Sequence, residues 1–293
     1  VAQDAVGRLR AAKVAVVGIV RDCGKTLEDS VLRISAAFAA ADEVRWVIIE
    51  SDSSDDTLEV LGRLKQRDSR FSFLSLGTLR NSIPDRIQRI AACRNAYLDE
   101  LGRTDAYRDI THVVVADFDG VNNMLAEESV LSCFLRTDWD VCAANQAGPY
   151  YDVWALRHPL WCPADCWQQY RFLAACGVPD AKALYTGVHS KMITLSQSIP
   201  WIQVDSAFGG IAIYRREALD GCRYVALGPD GREICEHVTL HQQMLARGSK
   251  IFINPRLINT TYGEHTIGLR PTFRRRLRHA AKALLVALSG RDL

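Results

Sequence analysis

Short apolar runs, regularly separated by helical patterns, constrain this chain more than any other feature. "KVAVVGIV" (13–20), "VRWVIIE" (44–50) and "HVVVADFD" (112–119) read as near-continuous hydrophobic strands, not as alternating ones. A strand that is apolar on both faces is covered on both faces, and sheets covered in that way are mainly parallel. Parallel strands need long crossovers. "KTLEDSVLRISAAFAA" (25–40) supplies one, with Leu27, Val31, Ile34 and Phe38 at helical spacing. "SDSSDDTLEVLGRLKQR" (51–67) opens on Ser and Asp, which favour helix starts, and continues as a helix. After a strand-like "FSFLSL" (71–76), a helix over roughly 84–101 carries Ile87, Ile90, Arg94, Tyr97 and Leu101 on one face. The expected class is α/β, a mainly parallel sheet flanked by helices.

The second half is less regular. Residues 149–201 are rich in Trp, Tyr, Pro and Cys, and strand and helix patterns return in "FGGIAIYRREAL" (208–219), "HVTLHQQMLARG" (237–248) and "KIFINPRL" (250–257). Without an internal repeat or low-complexity linker, the expectation is one continuous domain over 1–269, with an irregular region over its mouth. The chain has 293 residues, enough for a large core. Nine scattered cysteines, an odd number, read as reduced and mostly buried thiols. Cys162 and Cys166 have zinc-ligand spacing, but no second matching pair follows. No run of 18 apolar residues is present, and no basic-then-apolar segment opens the chain, so a cytoplasmic location is expected. Seven Arg/Lys and one acid lie from Arg270 onward, which leaves the preceding residues near −4 beneath a total of +2. A body without a basic stripe argues against nucleic acid as a partner.

One strand end carries chemistry. "THVVVADFDGVNN" (111–123) finishes in Asp117 and Asp119, separated only by Phe118. Residues two apart in an extended chain point to one side, and ligands of open parallel sheets bind beyond the carboxyl ends of the strands. Two carboxylates held together raise each other's pKa unless a cation intervenes. Mn²⁺ or Mg²⁺ suits such hard oxygen ligands and also binds phosphate oxygens, so a metal-bound diphosphate is the natural partner. Asp-x-Asp arises readily by chance, and "DWD" (138–140) is a second instance. That pair precedes its apolar stretch and so lies at the wrong end of its strand.

"VVVADFD" resembles the Asp-x-Asp motif of nucleotide-sugar-dependent glycosyltransferases of the GT-A fold, a Rossmann-like architecture. "IIESDSSDDT" resembles their second strand and loop, and "RIQRIAACRNAYLDEL" the Ala-Arg-Asn helix before the motif. "YYDVWALRH" and "SAFGGIAIYRREAL" are similar to segments of the capsule-associated mannosyltransferase group and bacterial relatives. The resemblance implies a nucleotide-binding half (13–145), an acceptor-side half (146–269), and a metal-dependent transfer from a UDP- or GDP-linked sugar to a glycan or lipid-linked acceptor. It implies that Asp119 binds the metal, that Asp117 touches ribose or metal, and that His265 in "YGEHT" is a third ligand. Glu50 or Asp52 would contact the nucleotide and Arg94 the diphosphate or base. Gly209 and Gly210 would let the backbone approach the sugar. The chain departs from the family's Glu-Asp pair at "CEHVTL", which makes Glu236 the candidate general base and His237 the runner-up. Tyr150, Trp154, Trp161 and Trp201 are candidate acceptor-stacking residues; core packing is the competing role of each.

"VVVADFDG" also resembles the nucleophile motif of haloacid-dehalogenase-like phosphohydrolases, although about a hundred residues precede it here. A non-catalytic sugar-binding protein is the other alternative. The end of the chain, "RPTFRRRLRHAAKALLVAL", sets Leu277, Ala281, Leu284, Leu285 and Leu288 on one side of a helix and most of its arginines elsewhere. That pattern suits a basic amphipathic tail helix over 270–293 lying on an anionic membrane surface. Co-sedimentation with anionic liposomes is expected to fall on deleting 270–293 and in high salt; equal binding by the truncated chain would remove the idea.

Overall fold

The computed structural model describes residues 2–228 and 230–261. His265 and the basic segment 270–293 lie outside the described residues. Helix α1 (Ala2–Arg10) leads into β1 (Lys13–Val20), followed in alternation by α2 (Gly24–Ala37), β2 (Glu43–Glu50), α3 (Thr57–Arg67), β3 (Phe71–Ser75), α4 (Arg86–Arg103) and β4 (His112–Ala116). The second half supplies α5 (Glu127–Leu131), β5 (Val141–Gln146), α6 (Cys166–Ala175), α7 (Asp180–Gly187), β6 (Ile202–Val204), β7 (Ile211–Arg215), α8 (Arg216–Leu219), α9 (Glu236–Leu245) and β8 (Ile251–Thr260). Among the described residues no helix is long and apolar enough to cross a membrane.

Both halves feed one eight-stranded sheet, in the order β3-β2-β1-β4-β7-β5-β8-β6. Pairs β1–β2, β1–β4, β2–β3 and β5–β8 are parallel. Strand β7 runs antiparallel to β4 and β5, and β6 antiparallel to β8. The sheet is thus mainly parallel, as the apolar runs require, with two reversed strands from the second half. Alternate residues of each run face opposite layers. Val17, Ile49 and Val113 pack with Ile87, Tyr97 and Leu101 of α4 and with Val238 of α9. Val16, Ile48 and Val114 pack with Leu27 and Ile34 of α2 and Leu61 of α3. The chain leaves β1 for β2 and β3, then returns through α4 to β4 on the other side of β1. Such a reversal opens a crevice at the carboxyl ends of the two diverging strands.

The region 149–201, expected to be irregular, contains two helices, α6 and α7, and the short strand β6 follows it. Asp165 caps α6, accepting from the backbone N–H of Trp167 and Gln168. Phe172 and Tyr185 are exposed on α6 and α7. Apolar residues that face outward break the core-facing period by which helices are recognised in a sequence.

Strand β1 carries Gly18 where β4 ends. A methyl group there would overlap the Phe118 ring and the Ala116 carbonyl oxygen. Gly18→Ala is expected to lower stability by roughly 1–3 kcal/mol through overpacking. The check is the midpoint of urea unfolding, and an unchanged midpoint would show that Phe118 gives way freely.

Candidate active site

At the crevice lies a cleft of about 570 Å³. Its floor is formed by the residues that follow β1, β2 and β4. One wall is the face of α4, and the other combines residues 151–154, Phe208 and the first turn of α9.

Asp117 and Asp119 both line the cleft, while Phe118 between them is buried in the opposite layer against Trp46. The extended backbone therefore delivers the two carboxylates to one side, as the spacing requires. Asn122 fixes the turn that follows by donating to the Asp117 carbonyl at 2.8 Å, and Asp119 accepts from Val121 N–H at 3.1 Å. Burial first, with Asp119, Asp152 and Glu236 adding repulsion against the opposing pull of Arg94, pushes Asp117 up to about 7. Asp138 and Asp140 sit at the other end of the sheet, just before β5. There Asp138 pairs with Arg136 at 2.7 Å and Asp140 accepts from Lys250 N–H at 2.7 Å.

Arg94 is buried, not a surface arginine. Its guanidinium lies between the Phe208 and Tyr224 rings, 5.4 and 5.6 Å from their centroids. Nε donates to Glu236 Oε1 at 2.9 Å, and Nη2 stands 3.6 Å from Asp117 Oδ1. Arg94 thus joins the strand-end carboxylate to the first turn of α9. Glu236 lines the cleft as expected, but an arginine engages it. His237 also lines it, with its ring stacked on Phe208 at 4.0 Å. Burial, then the Arg94 charge and His241, push His237 well below the ordinary histidine range. Its Nε2 stands 3.8 Å from Glu236 Oε1, and neither ring nitrogen has a hydrogen-bond partner among the described residues.

Glu50 does not reach the cleft. It ends β2 pointing inward, where it accepts from Ser53 N–H at 3.0 Å and from Ser75. Asp52 does line the cleft, in a left-handed conformation with φ of 64°. Arg80 Nε at 3.1 Å and Arg89 Nε at 3.5 Å bracket its carboxylate. Three thiols, Cys23, Cys93 and Cys235, line the same cleft, and burial pushes each up, Cys93 to about 11.

The aromatic expectations divide. Trp154 is on the cleft wall, its indole N–H fixed to Asp165 at 3.0 Å. Tyr150 is fully buried against Trp161, and its neighbour Tyr151 takes the cleft position. Trp161 is tied to the Lys191 carbonyl at 2.7 Å. Trp201 packs on Trp139 and Phe252 beneath Arg136, a cluster beside the amino end of β5 and outside the cleft lining.

Gly209 and Gly210 are not in the cleft lining; they shape it from behind. Both have positive φ, 76° and 88°, and at Gly210 a methyl would collide with the Tyr151 hydroxyl at 2.6 Å. The Gly210 carbonyl accepts from Asp117 N–H at 2.9 Å, and Gly209 N–H donates to Asp152 Oδ2 at 2.9 Å. Asn259 and Gln146 hold the Gly209 carbonyl at 2.8 and 3.2 Å. Tyr151, Asp152, Asn122, Gln146 and Asn259 are site residues that sequence reasoning missed. The Tyr-Asp of "YYDVW" lay in the quoted resemblance but gave no periodic or spacing signal of its own.

No protein-family model matches the chain, and no curated protein matches it. Among solved structures it is similar to a mannosyltransferase from Pyrobaculum calidifontis determined with GDP-Man and Mn²⁺, with a TM-score of 0.50 at 12% identity, covering 96% of this chain and 66% of that one. The fold is GT-A. S. aureus TarS with UDP-GlcNAc gives a TM-score of 0.45 at 14% identity, over 96% of this chain and 68% of that one. Glucosyl-3-phosphoglycerate synthase from Mycobacterium tuberculosis with UDP gives 0.40 at 14% identity, over 98% and 85%. The chain spans just under two thirds of the length of the Pyrobaculum protein.

Removing Arg94 would leave Glu236 and Asp117 facing each other without a counter-charge. Arg94→Leu is expected to cost about 3–5 kcal/mol, the scale of breaking one side of a buried ion pair. Urea unfolding measures it, and a loss below about 1 kcal/mol would show that the pair is screened by solvent.

Proposed function

We propose that this chain is a metal-dependent glycosyltransferase that moves a hexose from a UDP- or GDP-linked donor to a glycan or lipid-linked acceptor, in polysaccharide biosynthesis. The observation that carries the reading is the open carboxylate pair, Asp117 and Asp119, at the carboxyl end of β4 in a GT-A fold. Across the same cleft stand an aromatic platform, Trp154, and further carboxylates. The hexosyl donor and the polysaccharide role rest on the sequence resemblance to the capsule-associated mannosyltransferase group.

Two carboxylates fit Mn²⁺ or Mg²⁺, which keep several waters and complete their shell with substrate phosphate oxygens. Asp117 and Asp119 would hold such a cation, and His265, outside the described residues, is the further ligand the resemblance implies. Asp119 is the exposed member and Asp117 the partly shielded one. A bound cation would supply positive charge to a departing diphosphate. Arg94 bridges the two sides of the cleft, 2.9 Å from Glu236 Oε1 and 3.6 Å from Asp117 Oδ1. Trp154, fixed by Asp165, offers a flat face to a sugar acceptor. The phosphohydrolase alternative draws no support from this geometry, because its motif would sit on the fourth strand, beside a buried arginine already paired to Glu236.

A ligand that binds only the folded state raises the melting temperature by mass action. GDP or UDP with Mn²⁺ is expected to stabilise the protein more than the sum of either alone. Asp119→Asn should abolish that synergy and lower turnover on the order of 10²-fold, the scale of losing one charge-stabilising group. Asp140→Asn, at the opposite edge, should stay within a few-fold of the parent. The absence of synergy with any nucleoside diphosphate would sink the transferase reading and favour a sugar-binding protein.

A further inference from the structure

We propose that Asp152 is the general base of this site, the group that takes the proton from the acceptor hydroxyl. This rests on the glycosyltransferase reading and names a residue that neither the sequence motifs nor the resemblance singled out. A base for glycosyl transfer must stand in the cleft, be free of a paired cation, and keep a fixed place relative to the carboxylates that hold the donor.

Five acidic residues line the cleft: Asp52, Asp117, Asp119, Asp152 and Glu236. Two arginines bracket Asp52. Asp117 and Asp119 belong to the cation. Glu236 accepts from the Arg94 guanidinium at 2.9 Å, deep in a buried and aromatic-walled setting, so proton uptake there would oppose a strong charge-assisted bond. Asp152 remains. Among the described residues it forms no ion pair. Its oxygens meet backbone N–H groups, Gly209 at 2.9 Å and Ala155 at 3.4 Å. An ionised carboxylate has about four lone-pair directions, so these two contacts orient the group and leave acceptor capacity free.

Its placement is fixed by the glycine turn. Gly209 N–H holds Asp152, and the next residue's carbonyl holds the backbone of Asp117. Two adjacent residues, Gly209 and Gly210, thus tie Asp152 to the backbone of Asp117. Asp152 also lies between Tyr151 and Trp154, the two aromatic residues of the cleft wall on its own segment. An acceptor sugar stacked on Trp154 would bring its hydroxyl to that segment. Burial, together with the neighbouring Glu236 charge, raises Asp152 from the ordinary carboxylate value against the two backbone donors and Arg94. Tyr150, Tyr151, Cys235 and Asp117 also face it.

The step is a single displacement. The acceptor oxygen forms a bond to the anomeric carbon while the bond from that carbon to the diphosphate oxygen breaks. The diphosphate leaves with the bonding electron pair, and the hydroxyl proton passes to Asp152. The anomeric configuration is inverted.

Asp152→Asn separates this role from a structural one, because asparagine keeps an oxygen for Gly209 N–H and supports the same turn. The assay follows GDP or UDP release from GDP-mannose, UDP-glucose and UDP-GlcNAc with Mn²⁺, using octyl glucoside or octyl mannoside as acceptor. Asp152→Asn is expected to lower kcat by roughly 10²–10⁴-fold. Binding of GDP or UDP with Mn²⁺, titrated directly, should change less than about threefold, and the wild-type product should show inverted configuration. Glu236→Gln should lower the melting temperature and reduce kcat by less than Asp152→Asn does. The proposal is overturned if Asp152→Asn keeps kcat within tenfold, if its nucleotide affinity falls in step with kcat, or if the product retains configuration. Failure of the wild-type protein to bind a nucleoside diphosphate or cleave any of these donors overturns the transferase reading itself, a result distinct from an active Asp152→Asn variant.

Discussion

The Gly209–Gly210 turn is the constraint on which the site depends. Two successive residues with positive φ are open to glycine and costly for other side chains. They allow the chain to enter β7 antiparallel to β4 with its peptide groups turned toward neighbouring segments. One N–H meets Asp152, and one carbonyl meets the backbone of Asp117. Side chains from the ends of β5 and β8 and from the loop after β4 close the arrangement, through Gln146, Asn259 and Asn122. Buried amides without such partners would each cost about 1–3 kcal/mol. Their pairing to glycine carbonyls therefore ties four segments into one rigid frame.

Charge is the second constraint. A cleft lined by five acids is unfavourable unless cations stand among them. Arginines stand at two points among them. Arg80 and Arg89 neutralise Asp52, and Arg94 neutralises Glu236 and leans toward Asp117. The planar guanidinium suits its position between two aromatic rings, and its fork reaches carboxylates on two different elements; a lysine would offer a point charge and no face. Among the described residues Asp119 and Asp152 form no ion pair, and Asp117 meets only Arg94, at 3.6 Å. The pattern separates acids that shape the cleft from acids left available for chemistry.

Much of the donor side was legible from local sequence. Apolar runs and helical periods gave β1, β2, β4, α2 and α4, and the same two-residue alternation put Asp117 and Asp119 on one side with Phe118 opposite. Arg94 was legible in part: it shares a helical face with Ile87, Tyr97 and Leu101, and that face proved buried. The errors have a common physical origin. Glu50 stands at a strand end, where a single residue decides between interior and cleft. Tyr150 and Tyr151 differ by one position, which exchanges core for cleft. Trp201 immediately precedes β6, whose pairing with β8 carries it away from the cleft. None of these choices is encoded in composition or spacing. Each is set by a partner far along the chain.

That distance also orders how the site comes together. The sheet from β3 to β4 is built from crossovers between neighbouring segments of the first half. The Arg94–Glu236 bond joins residues 142 apart, and the glycine turn reaches Asp152 across 57 positions. Long-range pairings close large loops before they gain contact energy. The donor-side strands can therefore form without the opposite wall, whereas the wall cannot be placed without β4 to receive β7. Until α9 docks, Arg94 has no carboxylate from that side, and until β7 pairs, Asp117 lacks the backbone bond that fixes it. Asp152, Arg94 and the Asp117–Asp119 pair thus depend on the same contacts, those between the second half of the chain and β4.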